Sequence, residues 1–195
     1  MNKNYSVQNA TPQKVFPFFD MGNFVLREKL DQDIESFFNY YSDPEVNKYI
    51  LCKIPQNIEE AKHELYYWRQ IFYYGDGAYF AIADKISNKM IGSIGISGYN
   101  KYQKRIEISY DLAKEYWRLG ITYQSLKKII EYSFNNWDIN RIEASVAVDN
   151  IASKNLLLKV GFTMEGILRE HRYHRGRFVD VYFFSFLKKD LLRYF

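Results

Sequence analysis

The sequence of 195 residues has little of what marks secreted or membrane-spanning proteins. It contains a single cysteine, Cys52, which excludes an internal disulfide framework and suits a reducing compartment. No apolar run approaches the ~20 residues that a transmembrane helix needs, and residues 1–13 lack the apolar segment of a signal peptide. We therefore expect a cytoplasmic protein that has no membrane partner.

An excess of charge of one sign is also missing, because 27 basic residues stand against 23 acidic ones and the net charge is +4. A dedicated nucleic-acid-binding domain usually shows a larger and clustered basic excess, so nucleic acid is not expected as a partner. Apolar residues make up 47% of the chain, enough for the core of one domain. The 18 tyrosines and 15 phenylalanines fit a packed core, a lined pocket or a dimer face, so both a monomer and a homodimer stay open.

Hydropathy patterns predict an N-terminal arm over residues 1–22 and one domain over residues 23–195. Predicted strands cover Phe24–Lys29, Tyr79–Asp84, Met90–Ser97, Arg105–Leu112, Arg141–Val148, Phe162–Leu168 and Phe178–Leu187. Predicted helices cover residues 34–41, 58–73, 121–135 and 150–160. The order β-α-α-β-β-β-α-β-α-β-β indicates an α+β fold of three α/β-like layers, a mixed sheet with helices on its faces. A polar loop, Arg169–Arg177, is predicted between the last two strands.

Gly120 stands between a predicted strand and a predicted helix. Because it has no Cβ atom, Gly120 lets the backbone approach a ligand closely, and the free N–H groups at a helix start attract phosphate oxygens. Arg118 adds a positive charge nearby, and the Thr122 hydroxyl can either cap the helix or contact a phosphate. A single glycine here is equally compatible with an ordinary turn, so the pattern alone indicates an anion site only weakly.

Two longer motifs resemble the GNAT superfamily of N-acetyltransferases. The first is similar to the loop that binds the pyrophosphate of acetyl-CoA, and it reads Tyr116-Trp117-Arg118-Leu119-Gly120-Ile121-Thr122. Thr122 departs from that family's pattern, which has Gly or Ala at this position. The second motif, residues 150–162, has the Asn, the Ser and the closing Lys-x-Gly-Phe of the branch that resembles ribosomal-protein N-terminal alanine and serine acetyltransferases. The similarity covers residues from about 24 to 191.

The resemblance implies a GNAT-type fold with a mostly antiparallel central sheet, and acetyl-CoA as co-substrate without a metal. It also implies that strands 105–112 and 141–148 splay apart and that the pantetheine arm of acetyl-CoA inserts between them. The residues that would then bind acetyl-CoA are Ile108, Tyr110, Leu112, Trp117, Arg118, Leu119, Gly120, Ile121, Thr122, Asn150 and Ser153. Asn150 can equally serve only as the cap of its helix.

The implied reaction moves an acetyl group to a primary amine, either a protein N-terminal α-amine or a small amine, by direct attack in a ternary complex. An alkyl ammonium group has a pKa near ~10, so a base must collect its proton. Glu107 is the leading candidate, Glu143 on the neighbouring strand is the second, and Tyr123 is the third. Glu107 can instead be a strand carboxylate paired with Arg105 or Lys104, and Tyr123 can be a packing residue.

Leu157 occupies the position at which many GNAT proteins carry a general-acid tyrosine, so that role is unfilled or taken by another group. The segment Arg169–Arg177 is the most basic in the chain and is either a solvated hairpin tip or the rim of the acceptor site. As a rim it would repel a polyamine and suit an acceptor with a carboxylate or phosphate. Two other functions stay open: a catalytically weak relative that binds CoA or a partner, and an RNA-binding module that uses this segment and exposed aromatics.

Overall fold

A computed structural model describes residues 14–194 of the chain. The strands are β1 (Phe19–Asp20), β2 (Phe24–Arg27), β3 (Ala78–Asp84), β4 (Met90–Asn100), β5 (Arg105–Leu112), β6 (Arg141–Ala147), β7 (Thr163–His174) and β8 (Arg177–Leu187). The α-helices are α1 (Ile34–Tyr41), α2 (Pro44–Asn47), α3 (Ile58–Tyr74), α4 (Ile121–Asn136), α5 (Ile151–Val160) and α6 (Leu191–Tyr194). The predicted order of elements is confirmed, and the short elements β1, α2 and α6 are additional.

All eight strands form one sheet in the order β1-β2-β3-β4-β5-β6-β8-β7. Neighbouring strands are antiparallel, with the exception of β5 and β6 at the centre of the sheet. The parallel pair arises because α4 crosses over between β5 and β6, whereas short turns join most of the antiparallel neighbours. The mixed, mostly antiparallel sheet of the prediction is therefore confirmed.

Helices cover both faces of this sheet. Alternate residues of a strand point to opposite faces, and β3 shows which helices lie on each side. Phe80 and Ile82 of β3 belong to a large core that includes residues of α4 and α5, whereas Ala81 belongs to a second core with residues of α1 and α3. The three-layer arrangement leaves the ends of β5 and β6 between the two helical layers.

Local sequence explains where the longer helices begin and end. α3 begins after Asn57, whose Oδ1 accepts a hydrogen bond of 2.9 Å from the backbone N–H of Glu60. It ends at Gly75, which has a φ of 78°. α5 begins after Asn150 and ends at Gly161, which has a φ of 112°. Glycine adopts these backbone conformations without the strain that a Cβ atom would cause, so both helices stop where the sequence predicts.

The prediction of a polar loop over Arg169–Arg177 is wrong. β7 continues to His174 and β8 begins at Arg177, so only Arg175 and Gly176 form the turn. Both residues have positive φ, 49° and 82°, as a two-residue hairpin turn with the twist of its strands requires. The run of charged side chains suggested a loop, but this hairpin forms the edge of the sheet and is largely exposed. A strand in that place accommodates polar residues on both faces.

Residues 14–22 of the predicted arm pack against the domain, while residues 1–13 lie outside the described part of the chain. The ring centroids of Phe16 and Phe80 are 4.8 Å apart. The ring of Phe19 lies 5.6 Å from that of Phe80 and 5.6 Å from that of Tyr132 on α4. Phe16 and Phe19 thus cover the large core beside β2 and β3, whereas Phe18 is 61% exposed.

A buried polar cluster lies between α1 and the strands β4 and β5. Lys29 is fully buried, and its Nζ donates a hydrogen bond of 2.5 Å to Ser93 Oγ. The Asp111 carboxylate accepts from the hydroxyl of Tyr40 (2.8 Å) and from the backbone N–H of Ser93 (3.1 Å). Burial lowers the pKa of Lys29 to about 8 and raises the pKa of Asp111 to about 6, while the attraction between the two charges opposes both shifts. At neutral pH an ammonium and a carboxylate are therefore held together inside the protein.

Replacing Lys29 alone should destabilise the fold strongly. Lys29→Met leaves the Asp111 carboxylate buried without its counter-charge, and we expect a loss of about 3–5 kcal/mol in the free energy of unfolding, measured by urea denaturation. The double variant Lys29→Met/Asp111→Asn should recover part of that loss. Lys85→Met is the matched control, since Lys85 pairs with Asp20 at an exposed surface and should cost no more than about 1 kcal/mol. Equal costs for Lys29→Met and Lys85→Met would contradict the role of the cluster.

The same pair should give the stability a defined pH dependence. The pKa of Asp111 is higher in the folded than in the unfolded state, so its contribution to the free energy of unfolding falls as the pH rises from about 4 to about 6. The pKa of Lys29 is lower in the folded state, so its contribution rises between about pH 8 and pH 10.5. The free energy of unfolding is measured by urea denaturation for the wild type and the double variant across this pH range. The difference between the two should fall between about pH 4 and 6 and rise between about pH 8 and 10.5. A difference that is flat with pH would refute the assignment.

Candidate active site

The central feature of the site is that β5 and β6 pair over only three residues. The register joins Arg105 to Arg141, Ile106 to Ile142 and Glu107 to Glu143. Beyond this point β5 stays beside β4 as far as Leu112, and β6 stays beside β8 as far as Ala147. The two strands therefore separate while each keeps its outer neighbour, as the splay prediction requires. Main-chain N–H and C=O groups on the inner edges are left available to a ligand.

The loop that follows β5 leads into an uncapped helix. The indole Nε1 of Trp117 donates a hydrogen bond of 2.8 Å to the carbonyl of Leu112, which ties the loop to the end of β5. Arg118 has a φ of 64°, and Gly120 has a φ of 78° immediately before α4. No side chain caps the first turn of α4, and the hydroxyl of Thr122 is not used for this purpose. The first N–H groups of an α-helix have no partner inside the helix, so this end presents free donors and a positive dipole.

The space above Gly120 is open. A Cβ atom built on Gly120 would come no closer than 3.9 Å to its nearest neighbour, Gln124 Nε2. The side chains of Arg118 and Leu119 are exposed beside it, and those of Ile121 and Thr122 are half-buried. Because Arg118 holds a left-handed conformation that costs a non-glycine residue about 1–3 kcal/mol, the loop stores strain of the kind found at ligand sites. The arrangement is suited to bind an anion.

Hydroxyl groups from β5 and α5 meet beside the opening between the strands. Tyr110 lies three residues beyond the last paired residue of β5, and its hydroxyl shares a hydrogen bond of 2.7 Å with Ser153 Oγ. Burial raises the pKa of the Tyr110 hydroxyl well above its ordinary range, so this group stays protonated. Asn150 Oδ1 accepts from the backbone N–H of Ser153 (3.1 Å), so Asn150 does cap α5. The helix cap and a possible ligand contact are compatible, because the amide of Asn150 also has two N–H donors.

Glu107 lies at the vertex of the opening, on the face opposite Ile106 and Ile108. Its side chain is half-exposed, and its Oε1 is 3.4 Å from Nη2 of Arg172 on β7. The partner of Glu107 is therefore Arg172, not Arg105 or Lys104 as the sequence suggested. A carboxylate that is accessible and loosely held by one guanidinium can accept a proton from an incoming group.

Glu143 has a different environment, although it is the strand partner of Glu107. It is buried and held by two ion pairs: a short one to Arg105, and one of 2.8 Å to Nε of Arg141. One arginine donates to each oxygen of the carboxylate, so its position is fixed. Tyr123, the third candidate, packs against the large core, and the Lys159 ammonium lies 5.1 Å from its ring centroid.

Other residues of the site were not found from the sequence. Ser109 follows Glu107 on the same face of β5, and its Oγ shares a short hydrogen bond with the hydroxyl of Tyr79 on β3. Arg172 was overlooked as a partner of Glu107 because the predicted loop hid the alternation of β7. Leu157, at the position of the missing general-acid tyrosine, is fully buried in the large core. Its side chain therefore packs in the core and does not reach the opening.

The described residues meet neither the requirements of a metal site nor those of a membrane-spanning helix. Within residues 14–194, no group of three or more His, Cys, Asp or Glu side chains is arranged to hold a metal ion. Over the same residues, no helix has both the length and the apolar character needed to cross a bilayer.

Comparison with known proteins agrees with the geometry. Residues 23–163 match the family described as the acetyltransferase (GNAT) domain. The uncharacterized N-acetyltransferase YoaA of Bacillus subtilis is 32% identical over 174 residues, which cover 89% of this chain and 98% of that protein. The uncharacterized N-acetyltransferase p20 of Bacillus licheniformis is 33% identical over 165 residues, 85% of this chain and 93% of that protein.

Solved structures show the same fold. The ribosomal-protein-S5-alanine acetyltransferase of Vibrio fischeri superimposes with a TM-score of 0.79 at 22% identity, over 89% of this chain and 98% of that chain. The spermidine N-acetyltransferase of Vibrio cholerae, solved with CoA and spermine, has a TM-score of 0.75 at 23% identity, over 87% and 98% of the two chains. With the family match over residues 23–163 and the opening between β5 and β6, the chain belongs to the GNAT family and is an acetyl-CoA-dependent N-acetyltransferase.

Proposed function

We propose that this enzyme transfers acetyl from acetyl-CoA to a primary amine by direct attack in a ternary complex. The observation that carries the proposal is the position of two features at one end of β5: the opening toward β6 and the uncapped start of α4. The pyrophosphate of acetyl-CoA would bind the N–H groups and positive dipole at the start of α4. Trp117, Arg118, Leu119, Gly120, Ile121 and Thr122 form this part of the proposed site.

The pantetheine arm would lie in the opening beside β5. Main-chain groups of Ile108, Tyr110 and Leu112 would bind it as a strand binds an added strand. An N–H group of this edge would also hold the thioester oxygen as it becomes an oxyanion. Asn150 and Ser153 border the same opening. A hydroxyl of the Tyr110–Ser153 pair would donate a hydrogen bond to the sulfur of the departing CoA, where Leu157 offers no polar group.

Glu107 is the proposed base. The amine nitrogen must lose its proton before or during attack on the thioester carbon, and the carboxylate at the vertex of the opening is accessible to it. Glu143 and Tyr123 stay as further candidates. The two ion pairs of Glu143 and the packing of Tyr123 favour positioning roles for them. CoA thiolate is the leaving group, and a thiol pKa of about 8.5 lets it depart with little assistance.

The acceptor belongs to one of two classes, a protein N-terminal α-amine or a small amine. Relatives carry names of both kinds, including a ribosomal-protein-serine acetyltransferase of Escherichia coli and a spermidine N(1)-acetyltransferase of Vibrio cholerae. We assign catalysis to a domain of residues 23–195, with residues 1–22 as an arm, and propose a cytoplasmic setting that suits the lone thiol of Cys52.

Gly120→Ala should weaken acetyl-CoA binding specifically. An alanine at a φ of 78° costs about 1–2 kcal/mol of stability, and its methyl group would project into the space above the loop. Gly75→Ala is the matched control, because Gly75 has the same φ of 78° and open space around it but lies at the end of α3. We expect both variants to lose similar stability, and only Gly120→Ala to raise the Kd for acetyl-CoA by about 10-fold or more, measured by calorimetry. Equal acetyl-CoA affinities in the two variants would contradict the proposed pyrophosphate site.

Glu107→Gln should lower kcat/KM for the acceptor by roughly 100-fold or more at neutral pH, because the amide cannot accept the proton. The rate of the variant should rise with pH because a larger fraction of the acceptor is then the neutral amine. The difference in kcat/KM between the wild type and the variant should therefore become smaller at high pH. Glu143→Gln serves as the comparison: the loss of its ion pairs should lower the unfolding temperature, and kcat/KM should fall far less than in Glu107→Gln. The base is not Glu107 if Glu107→Gln retains wild-type turnover across the pH range.

A further inference from the structure

A cavity of about 800 Å³ is lined in part by the tip of the β7–β8 hairpin, whose Arg172 contacts Glu107. It is bounded by α1, by the segment that joins α2 to α3, and by the tip of the β7–β8 hairpin. Its apolar wall is formed by Phe38, Leu51, Ile54, Pro55 and Tyr173. Its polar and charged lining residues are Ser42, Asn47, Cys52, Lys53, Gln56, His174 and Arg175, so no carboxylate lines it. A volume of this size is typical of a site for a small molecule.

Two buried polar atoms in this cavity have no partner in the protein. Over residues 14–194, four buried side-chain nitrogen or oxygen atoms make no hydrogen bond, and Ser42 Oγ and His174 Nε2 are two of them. Both residues line the cavity. Buried polar atoms are normally satisfied, since leaving one unpaired costs about 1–3 kcal/mol. Because both atoms are shielded from solvent, the cavity wall keeps unused hydrogen-bonding capacity that does not face the open volume.

Arg175 is held at the cavity in an unfavourable backbone conformation. It takes the first position of the hairpin turn with a φ of 49°, where Asn, Asp or Gly is usual. Its Nη2 donates to Asn47 Oδ1 (2.6 Å) and approaches the Asn47 carbonyl (3.4 Å), which fixes the guanidinium at the rim. The remaining N–H groups of the guanidinium can still donate, because arginine has five. A strained and anchored arginine fits a binding role better than a role in the turn alone.

The cavity adjoins the place where the amine must react. Arg172 contacts Glu107, and Arg175 follows three residues later at the end of the same strand. Three residues of extended strand span roughly 10 Å. The rim of the cavity at Arg175 is therefore roughly 10 Å along the hairpin from the residue that contacts Glu107.

We propose that this cavity holds an anionic group of the acceptor, so that the substrate is a small primary amine that also carries a carboxylate or phosphate. The inference rests on the proposed acetyltransferase function and names its substrate class. Arg175 would bind the anion, and the amine would lie near Glu107. A polyamine lacks the anion and would bring positive charge to a wall that has cations and no carboxylate.

Neighbouring charges agree with this assignment. Arg169 and Arg177 lie on the same hairpin and are exposed, and Glu170 is the only acidic residue among positions 169–177. Lys53 pairs with Glu60 over 3.1 Å, but its side chain is 78% exposed, and a surface pair of this kind is weak. The local potential therefore attracts an anion more than a cation.

The test compares acceptors that differ in one charge. Acetyl-CoA turnover by the full chain is measured with glycine, diglycine and triglycine and with their C-terminal amides, together with aminohexyl phosphate and spermidine. We expect triglycine and aminohexyl phosphate to exceed triglycinamide by about 10-fold or more in kcat/KM, with the difference in KM. The two anionic probes distinguish a carboxylate from a phosphate as the preferred group. Spermidine should be the poorest acceptor.

Arg175→Asn should abolish this preference without harming the fold, since Asn is favoured in the left-handed turn position. KM for the anionic acceptors should rise about 10-fold, with triglycinamide and acetyl-CoA binding unchanged. Arg177→Asn removes a charge from the same hairpin outside the cavity and should leave the preference intact.

Three outcomes would overturn the proposal and leave the acetyl-CoA site in place. They are equal kcat/KM for acids and amides, a preference for spermidine, and acetyl-CoA binding without acetylation of any probe. Failure of acetyl-CoA itself to bind would instead refute the proposed function.

Discussion

Parallel pairing between β5 and β6 stops after Glu107 and Glu143, and the whole candidate site depends on that stop. The outer neighbours β4 and β8 continue to hold both strands, so the opening is a fixed part of the sheet and not a frayed end. Main-chain donors and acceptors that would otherwise join the two strands are left for a ligand. The same geometry places Glu107 at the vertex and Tyr110 within the opening.

Backbone strain occurs at both proposed binding surfaces. Five non-glycine residues between positions 14 and 194 have a positive φ, and two of them are the arginines at the proposed pyrophosphate loop and at the acceptor cavity, Arg118 and Arg175. Elsewhere the left-handed positions at helix ends, such as Gly75 and Gly161, are filled by glycine at no such cost. The packing of the sheet and its two cores stabilises the fold enough to offset this local strain.

Much of this could be predicted from the sequence, because the signals were local. Alternating apolar and polar residues mark the strand Arg105–Leu112. Helix starts and ends are marked by single residues whose backbone preferences act locally, the asparagines at 57 and 150 and the glycines at 75, 120 and 161. The hairpin at residues 163–187 was misjudged, because an exposed edge tolerates charge on both faces and so lacks a hydropathy pattern.

Contacts between distant segments could not be predicted in the same way. Three such contacts join segments that are 64 to 128 residues apart in the chain. They are the pair Glu107–Arg172, the pair Lys29–Ser93, and the contact of Arg175 with Asn47 at the cavity. The alternative interpretation of the sequence paired Glu107 with Arg105 or Lys104 because these residues are close to it in the chain. In the fold Arg105 turns instead to Glu143, its neighbour across the parallel pair.

Backbone amide hydrogen exchange with and without acetyl-CoA is the most direct test of the central claim that the open edge of β5 and the start of α4 form the acetyl-CoA site. Binding should slow exchange at N–H groups of residues 108–112 and 118–123, because these donors gain ligand oxygens and lose access to water. Residues 24–27, at the far side of the sheet, should exchange at an unchanged rate. Protection confined to other segments, with residues 108–112 and 118–123 unaffected by bound acetyl-CoA, would contradict the claim.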